Sequence, residues 1–174
     1  MYGELIPSCL IKIFDSFKMK CNFTSDSVFV DLGCGHGKVV YMAYNSGIKE
    51  SIGIEQEENH LEVMRKSMKN LGATGVKVIE GLLEDNLHKI HHVTHLYSFD
   101  WAFSPGTLDA IYAFARMHVG IHWASFRKPA DLTEQGLSFQ VVATIDGKMS
   151  RSTESHKCYI YKIVSSRRIT RKIY

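Results

Sequence analysis

One segment constrains this chain more than any other: Val28-Phe29-Val30-Asp31-Leu32-Gly33-Cys34-Gly35-His36-Gly37-Lys38. Its first five residues read as a short strand, apolar except for Asp31, as expected of a central strand covered on both faces. Three glycines at alternate positions break it, and helical spacing resumes from Lys38 to Ser46, closed by Gly47. A strand that turns through glycine straight into a helix begins a parallel α/β sheet and places a ligand at the strand's carboxyl end.

The rest of the chain keeps that rhythm. Strands are predicted at 51–55, 76–80, 93–99 and 121–126. Helices are predicted at 57–71, with Leu61, Val63, Met64, Met68 and Leu71 inward, and at 107–118, with Leu108, Ile111, Tyr112, Ala115 and Met117 on the apolar side. Residues 5–18 form a further amphipathic helix with Pro7 in its first turn. Strand and helix alternate from 28 to about 126, which demands right-handed parallel crossovers. Segments 137–145 and 158–164 have no helix between them and should pair as an antiparallel hairpin at the sheet edge. The expected fold is therefore α/β and Rossmann-like, mostly parallel, in one domain over 1–164 with a basic tail over 165–174. A chain of 174 residues leaves little room for a separate substrate domain.

The spacing of the turn separates two kinds of cofactor. Dinucleotide sites use G-x-G-x-x-G and aim backbone N–H groups at a pyrophosphate. Here the third glycine comes one residue early, and an acid, Asp31, stands at the mouth. A second acid, Glu55, ends the next strand 22 residues after Gly33, where it can hold ribose hydroxyls. Acids repel phosphate and suit an ammonium. S-adenosylmethionine carries an ammonium, a sulfonium and a ribose and no phosphate, so Asp31, Gly33, Gly35, Gly37, Lys38 and Glu55 are read as its binding loop.

Three stretches carry a resemblance. Tyr2-Gly3-Glu4-Leu5, the glycine segment through Val39-Val40, and Ile52-Gly53-Ile54-Glu55 resemble the non-SET histone-lysine methyltransferases of the disruptor-of-telomeric-silencing family. Phe99-Asp100-Trp101-Ala102-Phe103-Ser104-Pro105 is similar to that family's Asn-Asn-Phe-Ala-Phe-Gly-Pro segment. The Tyr-Gly-Glu ahead of the loop is the more specific part, and the resemblance covers about residues 2–128. It implies a class I methyltransferase fold, S-adenosylmethionine as cofactor, and a histone lysine, met in the nucleosome core, as acceptor. It also implies that Tyr2, Gly3, Glu4 and Leu5 line the methionine end, Leu82 and Leu83 flank the adenine, and Phe99 and Asp100 stand between cofactor and amine. Trp101 and Phe103 would wall the lysine channel.

The chain departs from that family at three places. Leu82-Leu83 replaces an Asp-Phe pair, so the adenine amino group needs another acceptor: Glu84, Asp85 or a backbone carbonyl. Phe99-Asp100 replaces paired Asn, which changes the polar group nearest the methyl. The family's helical segment ahead of Tyr-Gly-Glu, which helps roof the site, is expected to be missing here or supplied by something else.

Methyl transfer from a sulfonium is an in-line displacement that needs a neutral, positioned amine. An aromatic channel disfavours the ammonium by desolvation. Asp100 either orients the amine or holds it charged until entry, and core packing competes as an explanation of Trp101 and Phe103. The Asn/Asp-Pro-Pro-aromatic motif of nucleic-acid amino-methyltransferases is absent at 100–103, which counts against a flipped-base substrate. Methyl transfer to RNA, DNA or a small molecule stands as the alternative, as does a cofactor-binding module without activity.

Charge is distributed unevenly. Residues 148–174 carry eight basic side chains against one acid, a net +7, and residues 1–147 carry 13 against 17, a net −4, within an overall +3. Arg167, Arg168, Arg171 and Lys172 form either a solubilising tail or an arm for nucleic-acid phosphates. His88, His91, His92 and His95 lie within eight residues, but the expected strand over 93–99 breaks any shared helical face, and no metal is expected. Cysteines 9, 21, 34 and 158 show no paired spacing and suit a reducing compartment. No apolar run has transmembrane length, and the first residues lack a basic signal-peptide start. A nuclear or cytoplasmic monomer is expected.

Overall fold

The computed structural model describes residues 5–149 and 155–166. Seven strands form one sheet: β1 (Val28–Leu32), β2 (Glu50–Glu55), β3 (Val76–Glu80), β4 (His95–Ser98), β5 (His122–Ser125), β6 (Phe139–Lys148) and β7 (Ser155–Ile163). Their order is β3-β2-β1-β4-β5-β7-β6. The first five are parallel; β7 runs antiparallel to both β5 and β6. The expected hairpin is there, with β7 inserted between β5 and β6 so that only β6 lies at the edge.

The order reverses at β1, which has β2 on one side and β4 on the other. Phe29, Val30, Asp31 and Leu32 are all buried, which explains the nearly unbroken apolar run. Helices α1 (Pro7–Lys20), α2 (Lys38–Asn45) and α3 (Glu58–Leu71) cover one face. Helices α4 (Leu83–Asn86), α5 (Pro105–Met117) and α6 (Pro129–Glu134) cover the other. On the first face, Leu10, Ile13, Phe14 and Phe17 of α1 pack on Phe29, Ala124, Cys158 and Ile160. On the second, Ile111, Tyr112 and Ala115 of α5 pack against Val30, Leu96 and Trp123.

Several expectations change in detail. Strand β4 begins at His95, because the Thr94 N–H bonds to the Val28 carbonyl ahead of the ladder, and it ends before Phe99, which opens a 3₁₀ turn at Asp100–Ala102. Helix α3 buries only Leu61 and Met64 fully, with Val63 and Leu71 exposed; it packs on the edge strand β3 through Met64 and Met68 against Val76 and Val78. Met117 is also exposed; Phe114 takes the core position. Helices α4 and α6 have only four and six residues, too few for a periodic signal. Helix α6 nevertheless carries legible punctuation, Pro129 at its first position and Gly136 just beyond its end.

Candidate active site

A cavity of about 540 Å³ opens at the carboxyl ends of β1, β2 and β4, where the strand order reverses. Its floor is acidic. Asp31, 2% exposed, lines it beside Glu55. Burial, and next the negative charge of Glu55, raise the Asp31 carboxyl well above the ordinary range. Such a group gains from a cation placed against it.

Glu55 is braced where the backbone needs acceptors. Its Oε2 accepts from the Gly35 N–H at 2.8 Å. Its Oε1 accepts from the Gln56 and Glu57 N–H groups at 2.9 and 2.8 Å. A carboxylate has about four acceptor positions. Among the described residues, Oε2 has one hydrogen-bond donor and Oε1 two.

The glycine turn is held together internally. Gly33 and Cys34 both donate to the Ile54 carbonyl, and Gly37 donates to the Cys34 carbonyl. With Gly35 committed to Glu55, the glycine N–H groups serve the fold, in contrast to a pyrophosphate cradle. Gly37, at φ 81°, starts α2, and a Cβ there would meet Met64 and Tyr41 at 3.1 Å. Gly35 and Gly37 thus shape the loop, while Gly33, Cys34 and Lys38 line the cavity. The Cys34 thiol lies against Met64 Sδ, and burial with the neighbouring acids pushes its pKa up, which removes nucleophilic character.

Lys38 lines the cavity and ties down the chain entering it: its Nζ donates to the Leu5 carbonyl at 3.1 Å. Leu5, buried, lines the cavity and bridges to Met149, and the Ile6 N–H bonds to the Lys148 carbonyl. Tyr2, Gly3 and Glu4 lie outside the described residues, as do Arg167, Arg168, Arg171 and Lys172.

Opposite Leu5 the wall is Gly81, Leu82, Leu83 and Glu84, facing Ser104 and Thr107 at the start of α5. The Leu82 carbonyl already accepts from Asn86 Nδ2 at 2.7 Å. Glu84 lies within 3.4 Å of Thr107 Oγ1 and lines the cavity; Asp85 does not.

Beyond β4, Phe99 and Phe103 line the cavity, and a Cβ on Gly33 would come within 3.1 Å of the Phe103 ring. Asp100 and Trp101 do not line it. The Asp100 side chain is wholly buried and its carboxylate accepts from Ser98 Oγ, Ser125 Oγ and the Phe126 N–H. Burial raises its pKa, against the pull of those hydrogen bonds and of Arg127. An amine-orienting role for Asp100 therefore meets a carboxylate already spent within the fold. Trp101 is 53% exposed, with its ring against His156 at 4.6 Å.

Val39, Gln56, His60, Tyr97, Ala102, Ser104 and Thr107 also line the cavity and were not singled out from sequence. Gln56 and Ser104 directly follow the ends of a strand and a turn already marked as ligand-facing, which was the available signal. His88, His91 and His92 are exposed and His95 is buried. Among the described residues no group of three or more His, Cys, Asp or Glu is placed to hold a metal. Among the same residues no helix is long and apolar enough to cross a membrane.

Comparison with solved structures shows that several methyltransferases share this fold. A putative methyltransferase, yhhF, from Escherichia coli superposes with a TM-score of 0.71 at 12% identity, over 95% of this chain and 90% of that one. The precorrin-6y C5,15-methyltransferase of Geobacter metallireducens gives 0.64 at 18% identity, over 94% and 92%. TrmK of M. capricolum, solved with S-adenosyl-homocysteine, gives 0.64 at 14% identity, over 94% and 70%. These likenesses establish the fold. In sequence, the H3 lysine-79 specific histone-lysine N-methyltransferase of Kluyveromyces lactis is 36% identical over 72 residues, which is 41% of this chain and 12% of that protein. The family model of the histone methylation protein DOT1 matches residues 1–91, more than half of the 174, and carries both the entering segment at Leu5 and the Asp31–Glu55 floor; the chain belongs to the DOT1 family.

Proposed function

We propose that this chain is an S-adenosylmethionine-dependent methyltransferase whose acceptor is a lysine side-chain amine of a histone, met in the nucleosome. The observation that carries the reading is the floor of the cavity: a buried Asp31 beside a braced Glu55, with the glycine N–H groups used internally. That donor and acceptor set suits a ligand with a cation and a ribose and no phosphate. Family membership and the lysine-79 specific relative support the acceptor.

The bound cofactor supplies an electrophilic methyl group on a sulfonium. Asp31 would face its ammonium, and Glu55 Oε2 would take a ribose hydroxyl. Leu82 and Leu83 would flank the adenine, with Glu84, which lines the cavity where Asp85 does not, accepting from its amino group. Tyr2, Gly3 and Glu4, with Leu5, would close the methionine end, and Lys38 anchors that segment through the Leu5 carbonyl. Phe99 and Phe103 give the acceptor an apolar path, which favours the neutral amine over the ammonium. A nucleosomal substrate places the protein in the nucleus and gives Arg167, Arg168, Arg171 and Lys172 a phosphate surface to meet.

The test is transfer of label from radioactive cofactor to nucleosomes, free histones, RNA and DNA in parallel. Label in histone lysine is the expected result. Label confined to nucleic acid overturns the histone reading, and cofactor binding with no transfer to any acceptor reduces the protein to a binding module.

A further inference from the structure

Two segments meet at the carboxyl end of the sheet, the turn Asp100–Ala102 after β4 and the residues Ser125 to Lys128 after β5. They are stitched in both directions. The buried Asp100 carboxylate accepts from Ser125 Oγ and from the Phe126 N–H at 2.9 Å. In return, Nη2 of Arg127 donates to the Asp100 carbonyl at 2.6 Å and to the Trp101 carbonyl at 3.2 Å. Arg127 is itself fixed: its carbonyl accepts from the Tyr161 hydroxyl of β7 at 2.6 Å, and its N–H donates to Ser125 Oγ at 3.1 Å. The rings of Phe99 and Phe126 pack edge to face across the seam, 4.8 Å between centres.

The clamped turn is flanked by cavity wall. Phe99 precedes it, Ala102 ends it and Phe103 follows, and all three line the cavity. Arg127 does not line the cavity. Its grip falls on the backbone of the turn that carries the wall, on the side of the sheet away from Glu55. The Glu55 bracing involves β2, the glycine turn and the start of α3, and shares no hydrogen bond with the clamp.

We infer that Arg127 is a positioning residue for methyl transfer: by holding the Asp100 and Trp101 carbonyls it sets where Phe99 and Phe103 stand relative to the methyl group, and it leaves cofactor affinity to Asp31, Glu55 and the glycine turn. The inference rests on the methyltransferase reading. A displacement of about 1 Å in a reacting geometry costs up to about 100-fold in rate. Guanidinium reaches two carbonyls at once, whereas an ammonium on a shorter stem grips less firmly.

The experiment compares Arg127→Met and Arg127→Lys in the full chain, with nucleosomes as acceptor. It reads kcat, KM, S-adenosyl-homocysteine affinity, melting temperature and acrylamide quenching of Trp101 fluorescence, with a Trp101→Phe protein giving the Trp123 background. For Arg127→Met, kcat should fall about 10–100-fold, affinity should stay within about threefold, and Trp101 should become more quenchable. Arg127→Lys should recover part of the loss. Unchanged kcat in a folded Arg127→Met protein overturns the inference, and so does an affinity loss as large as the kcat loss. If Arg127→Met does not fold, Arg127→Lys decides: reduced kcat at unchanged affinity and melting temperature supports the inference, and wild-type kcat overturns it. If the wild type itself transfers no methyl group, the histone reading has failed separately. Trp101 quenching in the S-adenosyl-homocysteine complex then tests the clamp, and equal quenching in wild type and Arg127→Met sinks it.

Discussion

Asp31 and Asp100 are both buried aspartates at strand ends, yet their surroundings assign them different work. The Asp100 pKa is raised by burial, but three donors and a neighbouring guanidinium offset part of that, so its hydrogen-bonding capacity is used within the fold. Asp31 lines the cavity, buried and with Glu55 as a like-charged neighbour, so its charge is disfavoured until a cation arrives. Binding of a cation there is linked to loss of the Asp31 proton. Cofactor affinity should therefore rise with pH as long as pH lies below the raised Asp31 pKa, and level off once that pKa is passed. In Asp31→Asn that part of the pH dependence should vanish and affinity should fall about tenfold or more, in line with loss of a charge-assisted contact. Calorimetric titration with S-adenosyl-homocysteine across pH checks both; a wild-type curve in the variant would remove Asp31 from the site. Residue placement was legible in the sequence where the side chain lines the cavity, as with Asp31 and Glu55. It was not legible for Asp100 and Trp101, because an acid after a strand and an aromatic beside it look alike whether they point into a cavity or into the seam of the fold.

At the scale of elements, the glycine turn works because β2 lets it approach. A Cβ on Gly53, in the middle of β2, would stand 2.4 Å from Cys34 Sγ and 2.9 Å from Cys34 Cβ. The turn and the strand carrying Glu55 thus touch through a glycine outside the glycine motif. Gly53→Ala should destabilise the protein by about 1–3 kcal/mol by overpacking, measured by urea unfolding, and should weaken cofactor binding by displacing Cys34. Adding Cys34→Ala should regain part of that stability, since it removes the sulfur and leaves the Cβ contact. Simple additivity of the two substitutions would show that they do not share this contact. The elements β1, β2, α1 and α5, with a long or largely buried pattern, were read correctly from sequence, as was β3, where only Val76 is fully buried. The misassigned inward positions fell where burial is partial. Helix α3 sits over the sheet edge and spends Val63 and Leu71 on solvent. Helices α4 and α6 are held by tertiary packing of Leu83 and Leu132 more than by any periodicity of their own.

At the scale of the molecule, the two ends of the sheet differ. The carboxyl end carries the cavity; the amino end carries a core histidine. His95 donates from Nε2 to the Cys21 carbonyl at 2.9 Å, lies between Phe17 and Phe23, and stacks on His122 at 5.4 Å. Burial lowers its pKa to about 4, whereas in the unfolded chain it titrates near about 6.5. The unfolded chain therefore takes the proton first. Stability is full above pH ~6.5 and is lost as pH falls toward about 4, by about 3 kcal/mol. His95→Gln should flatten the stability curve across that window in urea titrations, whatever its effect on stability at neutral pH; an unchanged slope would contradict the burial argument. The same end is where β7 finishes, with Val164 bonded to Ser138 and Gly120 to Ile163. The chain thus leaves for its basic tail at the pole away from the cavity. Removing 165–174 should lower nucleosome affinity and reduce its salt dependence, in filter-binding assays across salt, with cofactor affinity unchanged. An unaltered salt slope would leave the tail as a solubilising segment. The sequence alone determined the parallel α/β order, the ligand-bearing turn, its acidic partners and the closing hairpin, because each is written in local patterns of apolar spacing, glycine and charge. Tertiary structure alone decided that Asp100 and Arg127 clamp the wall, that Trp101 stands outside the cavity, and that β7 ends at the pole away from the site. Those facts depend on which distant segments meet, and no spacing within one segment records them.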